Sequence, residues 1–266
     1  MEFDKKQAWQ QISQRIAHKT AQRRKRARSL FAAAAIVCLS VGYIAYHSFF
    51  IQPPQQLIEV TTSGKETKTI RLSDGSTLVL NTNSSLRYAE PLDKDLRKVE
   101  LLHGEATFDI AKDAKRPFRV AVEQAEIEVL GTLFNVNAYS SKLAVTLAEG
   151  SIRFKKGTFQ CMLVPGERLS FDPASQKASR EQLDALAVLD WRSGKWVFQQ
   201  MPLDEVLAQL AAQYNLSFVN ARPDKPYPLI TIYQDKAGMS LPQLLALLQR
   251  MGKSTIQFDQ KSILLK

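Results

Sequence analysis

Only two cysteines and three histidines occur among the 266 residues, and their positions remove whole classes of function. Cys38 lies inside a long apolar run and Cys161 lies far downstream of it. If that run crosses a membrane the two cannot meet, so the chain has no disulfide framework and must hold its domains with apolar cores. Cys161 reads as a small buried or half-buried residue rather than a reactive thiol. His18, His47 and His103 fall in three separate segments and cannot form one site. No Ser-x-x-Lys, His-Glu-x-x-His, Cys-x-x-Cys or Gly-x-Ser-x-Gly pattern occurs, and Ser63-Gly64-Lys65 lacks the glycine-rich loop of a phosphate cradle. Carboxylate pairs such as Asp109 with Asp113 and Glu126 with Glu128 fit solvated strand and turn positions. The expectation is a protein that is not an enzyme, with no catalytic, metal or cofactor residues.

Charge is the next thing that is unevenly supplied. Of the net +10, nine Lys or Arg against Glu2 and Asp4 place a surplus of seven in the first 28 residues. From Leu30 to Ile51 there is then no Lys, Arg, Asp or Glu at all. At about 1.5 Å of rise per residue this run reaches roughly 33 Å, against about 30 Å of bilayer hydrocarbon. The basic cluster Arg23-Arg24-Lys25-Arg26-Ala27-Arg28 immediately before it predicts a cytoplasmic N-terminus and an exported remainder. A cleaved signal peptide would end on small residues, whereas Tyr46, His47, Phe49 and Phe50 close this run. Orientation of the span and contact with anionic headgroups account for the basic charge, so no direct nucleic-acid partner is expected.

The tail, residues 1–28, carries a short helical pattern with Asp4 and Gln7 in capping register and Trp9, Ile12 and Ile16 on one face. A lone short helix has no core for such a stripe. These three residues are therefore the first candidate partner-binding set, facing either a partner groove or the membrane surface.

Beyond the span (29–51), the polar and proline-containing stretch 52–68 reads as a juxtamembrane linker. Residues 69–178 read as an all-β domain of sandwich, barrel or roll type. Ile70 to Leu80 holds Asp74-Gly75 between apolar runs, the strongest local hairpin signal, and period-two runs follow at Val99–Ile110, broken at Gly104, at Phe118–Val122 and at Ile127–Val136. Residues 179–190 read as a second linker with a short helix. Residues 191–266 contain a weak duplication, Met201-Pro202-Leu203-Asp204-Glu205-Val206-Leu207 with Met239-Ser240-Leu241-Pro242-Gln243-Leu244-Leu245, and Leu210 with Leu248. Each copy predicts a helix followed by a strand, hence one small α+β domain of two βαβ units with helices on a short sheet. Pro202 and the Ser240/Gln243 capping box mark the helix starts, and Gly252 the end of the second. The fold class expected overall is mixed: one transmembrane helix, an all-β exported domain and a small α+β C-terminal domain. An exposed sheet edge there, with Trp196, Val197 and Phe198, is the second candidate partner-binding set.

Several blocks, in order, resemble the FecR family of sigma-factor regulators: Ile70-Arg71-Leu72-Ser73-Asp74-Gly75-Ser76-Thr77-Leu78-Val79-Leu80-Asn81, Gly104-Glu105-Ala106-Thr107-Phe108-Asp109-Ile110-Ala111-Lys112-Asp113, Arg116-Pro117-Phe118, Val129-Leu130-Gly131-Thr132-Leu133-Phe134-Asn135-Val136, and Leu163-Val164-Pro165-Gly166-Glu167. Trp191 to Phe198 with Pro202-Leu203-Asp204-Glu205-Val206-Leu207 is similar to the short signalling domain of secretins and TonB-dependent transducers. The resemblance implies an anti-sigma factor in the bacterial inner membrane with periplasmic C-terminal domains. Its implied partners are an extracytoplasmic-function sigma factor on the cytoplasmic side and the signalling domain of an outer-membrane TonB-dependent transducer, loaded with siderophore or glycan, on the other. The tail of 28 residues is shorter than the family's sigma-binding domain often is. An envelope scaffold without cytoplasmic output is the rival reading. The Asp-Gly, Gly-Thr and Pro-Gly motifs read as turns that set strand register rather than as ligand residues.

Overall fold

The computed structural model describes residues 35–46, 56–64, 66–92, 96–140 and 142–266. The chain divides into two units, Met1–Pro54 and Gln55–Lys266. In the first, residues 35–46 form a helix, α1, with every residue exposed. Ser40 Oγ in this helix donates to the Val37 carbonyl at 2.8 Å. No helix among the described residues is long and apolar enough to cross a membrane. The rest of the predicted span, and the tail with Trp9, Ile12 and Ile16, lie outside the described residues.

The second unit begins with thirteen strands in one sheet folded on itself. One half runs β1 (Gln56–Thr61), β4 (Ser85–Glu90), β5 (Arg97–Asp109), β6 (Phe118–Val122), β7 (Ala125–Val129), β10 (Ile152–Lys156), β11 (Phe159–Leu163). The other runs β2 (Lys68–Arg71), β3 (Thr77–Leu80), β5 again, β8 (Leu133–Ala138), β9 (Leu143–Glu149), β12 (Glu167–Asp172), β13 (Lys177–Gln182). Strand β5 belongs to both: its first part pairs with β4 and β6, and from Gly104 onward with β3 and β8. The break read at Gly104 is therefore a change of sheet, not the end of a strand.

Alternation supplies the core between the halves. On β5 Ala106 and Phe108 face inward and on β8 Phe134 and Val136, and Phe108 stacks on its register partner Phe134 at 4.9 Å between ring centroids. Burial of such a side chain contributes about 1.5–3 kcal/mol. Phe154 of β10, Phe159 of β11 and Phe171 of β12 close the far end, with centroids 5.5–6.1 Å apart. The Asp74-Gly75 turn joins β2 to β3 with Ile70 opposite Leu78, as the sequence predicts. Ile127–Val136, which reads as one run, is two strands: β7 ends at Val129 in one half and β8 starts at Leu133 in the other. Strands also occupy parts of both stretches read as linkers, β1 within 52–68 and β13 across 177–182. Both are edge strands with mostly exposed side chains, and only Ile58 and Val60 of β1 and Ala178 of β13 lean on the core, too few to stand out in a polar stretch.

The C-terminal segment continues through α2 (Ala185–Val188), a 3-10 turn (Leu189–Ser193), β14 (Lys195–Pro202), α3 (Leu203–Gln213), β15 (Ser217–Asn220), β16 (Leu229–Asp235), α4 (Leu241–Gly252), β17 (Ile256–Phe258) and β18 (Ser262–Leu265). The expected single short sheet is instead two: β14 pairs with β16, and β15 and β17 flank β18. The two strands of each βαβ unit thus lie in different sheets, and each helix touches strands of both. The duplicated positions take equivalent places, because Val206, Leu207 and Leu210 on α3 and Leu244, Leu245 and Leu248 on α4 all enter one core. The Ser240 backbone N–H donates to Gln243 Oε1 at 2.8 Å, closing the start of α4. Its left-handed capping residue is Lys253, not Gly252. A Cβ at Gly252 would lie 2.3 Å from Leu203 Cδ2, so any larger residue there has to displace that buried leucine.

Candidate functional site

Of the candidate set Trp196, Val197 and Phe198, the structure buries two side chains, Trp196 and Phe198, away from any exposed edge. Their side chains are 2% and 1% exposed and belong to the core over α3 and α4, while Val197 is half-buried on the opposite face of β14. A Trp-Val-Phe alternation has the same form whether its apolar face meets a partner or the strand's own helices, and here the helices take it. Within the bulge between Phe198 and Met201, the strand touches the β-domain through the Gln199 carbonyl, which accepts from Arg168 Nη1 at 2.9 Å.

That contact belongs to a larger polar joint on the second half of the sheet. Alternation sends Glu105 and Thr107 of β5 to its outer face, with Asn135 and Asn137 of β8, Thr146 of β9 and Arg168 of β12 in register beside them. A polar outer face ordinarily meets water. Here Glu105, Thr107, Asn135, Thr146 and Arg168 are all buried, beneath the segment that begins at α2.

Glu105 is the centre of the joint. Its Oε2 accepts from Asn81 Nδ2 at 2.7 Å and its Oε1 from Asn135 Nδ2 at 2.8 Å. Asn135 Oδ1 in turn accepts from Thr107 Oγ1 at 3.0 Å and from the Trp191 indole N–H at 3.1 Å. Trp191, in the 3-10 turn, thereby ties the C-terminal segment to the sheet. Burial pushes the Glu105 carboxyl above its ordinary value, against the opposing effect of the amide donors and the Lys236 charge. Lys236, held beside it, is pushed down by its own burial. Lys142 with Glu205, and the Asn83 amide with the Ala212 carbonyl, make two further contacts across the joint. A partly open cleft of about 290 Å³ lies between the domains, with Lys142, Ser170, Arg168, Met201 and Gln209 among its walls.

The sign of the Glu105 shift makes a test. A carboxyl whose folded value is raised loses a proton first in the unfolded chain, so its contribution to stability is fully present at low pH and declines as pH rises through the folded value. Measured against Glu105→Gln, which does not titrate, the wild type is expected to lose relative stability from the ordinary carboxylate range upward. Urea unfolding at a series of pH values reads this, and a difference that is flat or grows with pH contradicts it.

Sequence reasoning also missed the most deeply buried charge. Arg97 at the start of β5 is fully buried, its Nη1 2.9 Å from Asp74 Oδ2 and its guanidinium 5.5 Å from the Phe118 ring centroid. Asp74 looked like turn chemistry alone, and nothing local to Arg97 separates it from the solvated Lys98 next to it. Among the described residues no group of three His, Cys, Asp or Glu side chains is placed to hold a metal ion.

This folded β-sheet, with its covered outer face, matches known proteins. Residues 58–153, from β1 into β10, match the family described as FecR protein. Two crystal structures from Parabacteroides distasonis ATCC 8503, both named as a "putative anti-sigma factor", are similar over more than the β-domain. One is 28% identical with a TM-score of 0.69, the other 27% identical with 0.70, and each match covers 79% of this chain and 98% of theirs. A share of that size requires the C-terminal domain as well as the β-domain. No curated protein matches the chain. Over residues 58–153 the chain thus resembles FecR protein, and over the β-domain and C-terminal domain together it is similar to these two structures.

Proposed function

We propose that the protein is a single-pass inner-membrane regulator whose tail, residues 1–28, binds an extracytoplasmic-function sigma factor while the β-domain and C-terminal domain lie in the periplasm. The observation that carries this is the pairing of a FecR-type domain with an uncharged run behind a basic cluster. The positive-inside rule puts the tail and the folded domains on opposite sides of one membrane. On this reading the C-terminal domain receives the signalling domain of an outer-membrane TonB-dependent transducer, and the tail carries the output. Since the Trp196 and Phe198 side chains fill their own core, a partner strand would meet backbone at a sheet edge rather than those rings.

The test is capture of sigma factors from a lysate of the native host by an immobilised peptide of residues 1–28, with Trp9→Ala in parallel. The wild-type peptide is expected to retain a polymerase specificity subunit and Trp9→Ala to retain at least about tenfold less, as expected when a buried aromatic anchor is truncated. No retention by the wild-type tail would overturn the anti-sigma reading. Equal retention by both peptides would remove Trp9 from it.

A further inference from the structure

The buried residues of the second unit form two separate apolar cores, not one. The first runs from Ile70 to Phe171 and the second from Trp196 to Leu265. The buried apolar residues between them, Ala185, Val188, Leu189 and Trp191, belong to neither. On the β-domain side the joint is the polar row Thr107, Asn135, Thr146 and Arg168 with Glu105 at its side, and α2 and Trp191 lie on it from the other side. An apolar face laid bare would aggregate. A face of Thr, Asn, Glu and Arg can be rehydrated, which is the composition of interfaces that separate and re-form.

We propose that the C-terminal domain is a detachable cover of the β-domain: the segment from Asp184 onward lifts as one body from the outer face of β5, β8, β9 and β12, leaving both cores intact. The 3-10 turn travels with it because it packs against β14; α2 packs against that turn and β14 as well as against β9, and separates from β9 as the cover lifts. The hinge is the short connection between Gln182, where β13 ends, and Ala185, where α2 begins. The bonds that must open are few and all polar: Trp191 to Asn135, Arg168 to the Gln199 carbonyl, Asn83 to the Ala212 carbonyl, and the Lys142–Glu205 ion pair. The joint is also incompletely satisfied, for Gln213 Oε1 is buried without a hydrogen-bond partner beside Glu105, Trp191 and Lys236. Water reaching that oxygen on opening offsets part of the cost of separation. Opening uncovers Glu105 and its polar neighbours and frees the β14 side of the domain, so a ligand that binds the lifted state better shifts the protein toward it.

Adjacent strands report on the two faces separately. Thr107 faces the joint and is 1% exposed, and Val136 faces the inner core and is fully buried. In full-length protein in lipid nanodiscs, with Cys38→Ser and Cys161→Ser removing the native thiols, Thr107→Cys and Val136→Cys are labelled with a maleimide under native conditions. If the cover lifts, Thr107→Cys labels at least about tenfold faster than Val136→Cys, since local opening lies below global unfolding in free energy. Thr146→Cys, on the same outer face, serves as a second reporter should Thr107→Cys fold poorly. Adding Lys142→Glu should speed outer-face labelling only, and the exchange Lys142→Glu with Glu205→Lys should restore the slow rate. Equal labelling rates at the two faces, or no response to Lys142→Glu, would overturn the proposal. The assay contains neither sigma factor nor transducer, so its failure is distinguishable from failure of the functional reading.

Discussion

Arg97→Ala is expected to destabilise the β-domain by about 3–5 kcal/mol, because it leaves the buried Asp74 carboxylate without its counter-charge, held only by the Ser76 N–H and hydroxyl. The Arg97 and Asp74 side chains are 0% and 3% exposed, so water cannot replace the guanidinium without opening the fold. The loss extends beyond the ion pair. Arg97 also donates to the Arg116 carbonyl from Nε at 3.0 Å and Nη2 at 2.7 Å, and to the Ala111 carbonyl from Nη1 at 2.9 Å. It thereby pins the β2–β3 turn and the 110–117 loop to the start of β5. In a region of this size the loss amounts to a fall of about 10 °C in melting temperature, read by circular dichroism. The double change Asp74→Leu with Arg97→Met should recover only part of it: the stranded charge is gone, but the two carbonyls still lack donors. Full recovery would show that the ion pair alone matters, and a fall under about 1 kcal/mol for Arg97→Ala would show that the pair is not a keystone.

Gly104→Ala should be comparably damaging, at about 3 kcal/mol, from two independent costs. At φ +94° a side chain is strained, and the new Cβ would stand 2.1 Å from Ser84 Oγ and 2.7 Å from Ser84 Cα. The hydroxyl cannot simply turn away, since it accepts from the Glu105 N–H at 3.0 Å and lies 3.0 Å from the Tyr139 hydroxyl. Gly75→Ala is the control, having a similar φ of +87° but no atom within 4 Å of the added carbon. It should cost only about 1 kcal/mol, so urea midpoints must separate the two variants by roughly 2 kcal/mol. Equal effects would mean that backbone strain, not the close approach of β4 to β5, is what glycine relieves at 104. Both results would assign the family-like blocks around Asp74 and Gly104 to architecture rather than to ligand recognition.

The Asp74-Gly75 hairpin was legible because a turn and its flanking alternation are local: Ile70 and Leu78 face each other through contacts a few residues apart. The leucine repeat of α3 and α4 was legible for the same reason. The placement of Trp196 and Phe198 was not, because alternation states that one face of β14 is apolar and is silent about what covers it. The same limit hid the joint, since Glu105, Thr107 and Asn135 carry the pattern of a solvated face and only a domain folded from residues beyond 183 buries them.

Order along the chain, from basic tail through uncharged run to β-rich and leucine-repeat segments, is written in residue types and spacing alone, because hydropathy and periodicity act over a handful of neighbours. Only the assembled fold decided that β5 serves two sheets, that Arg97 closes on Asp74 and that a polar sheet face lies beneath a second domain. Those outcomes depend on groups 23 to 56 residues apart in the chain meeting in space, and no local pattern records which of many chemically equivalent partners will arrive.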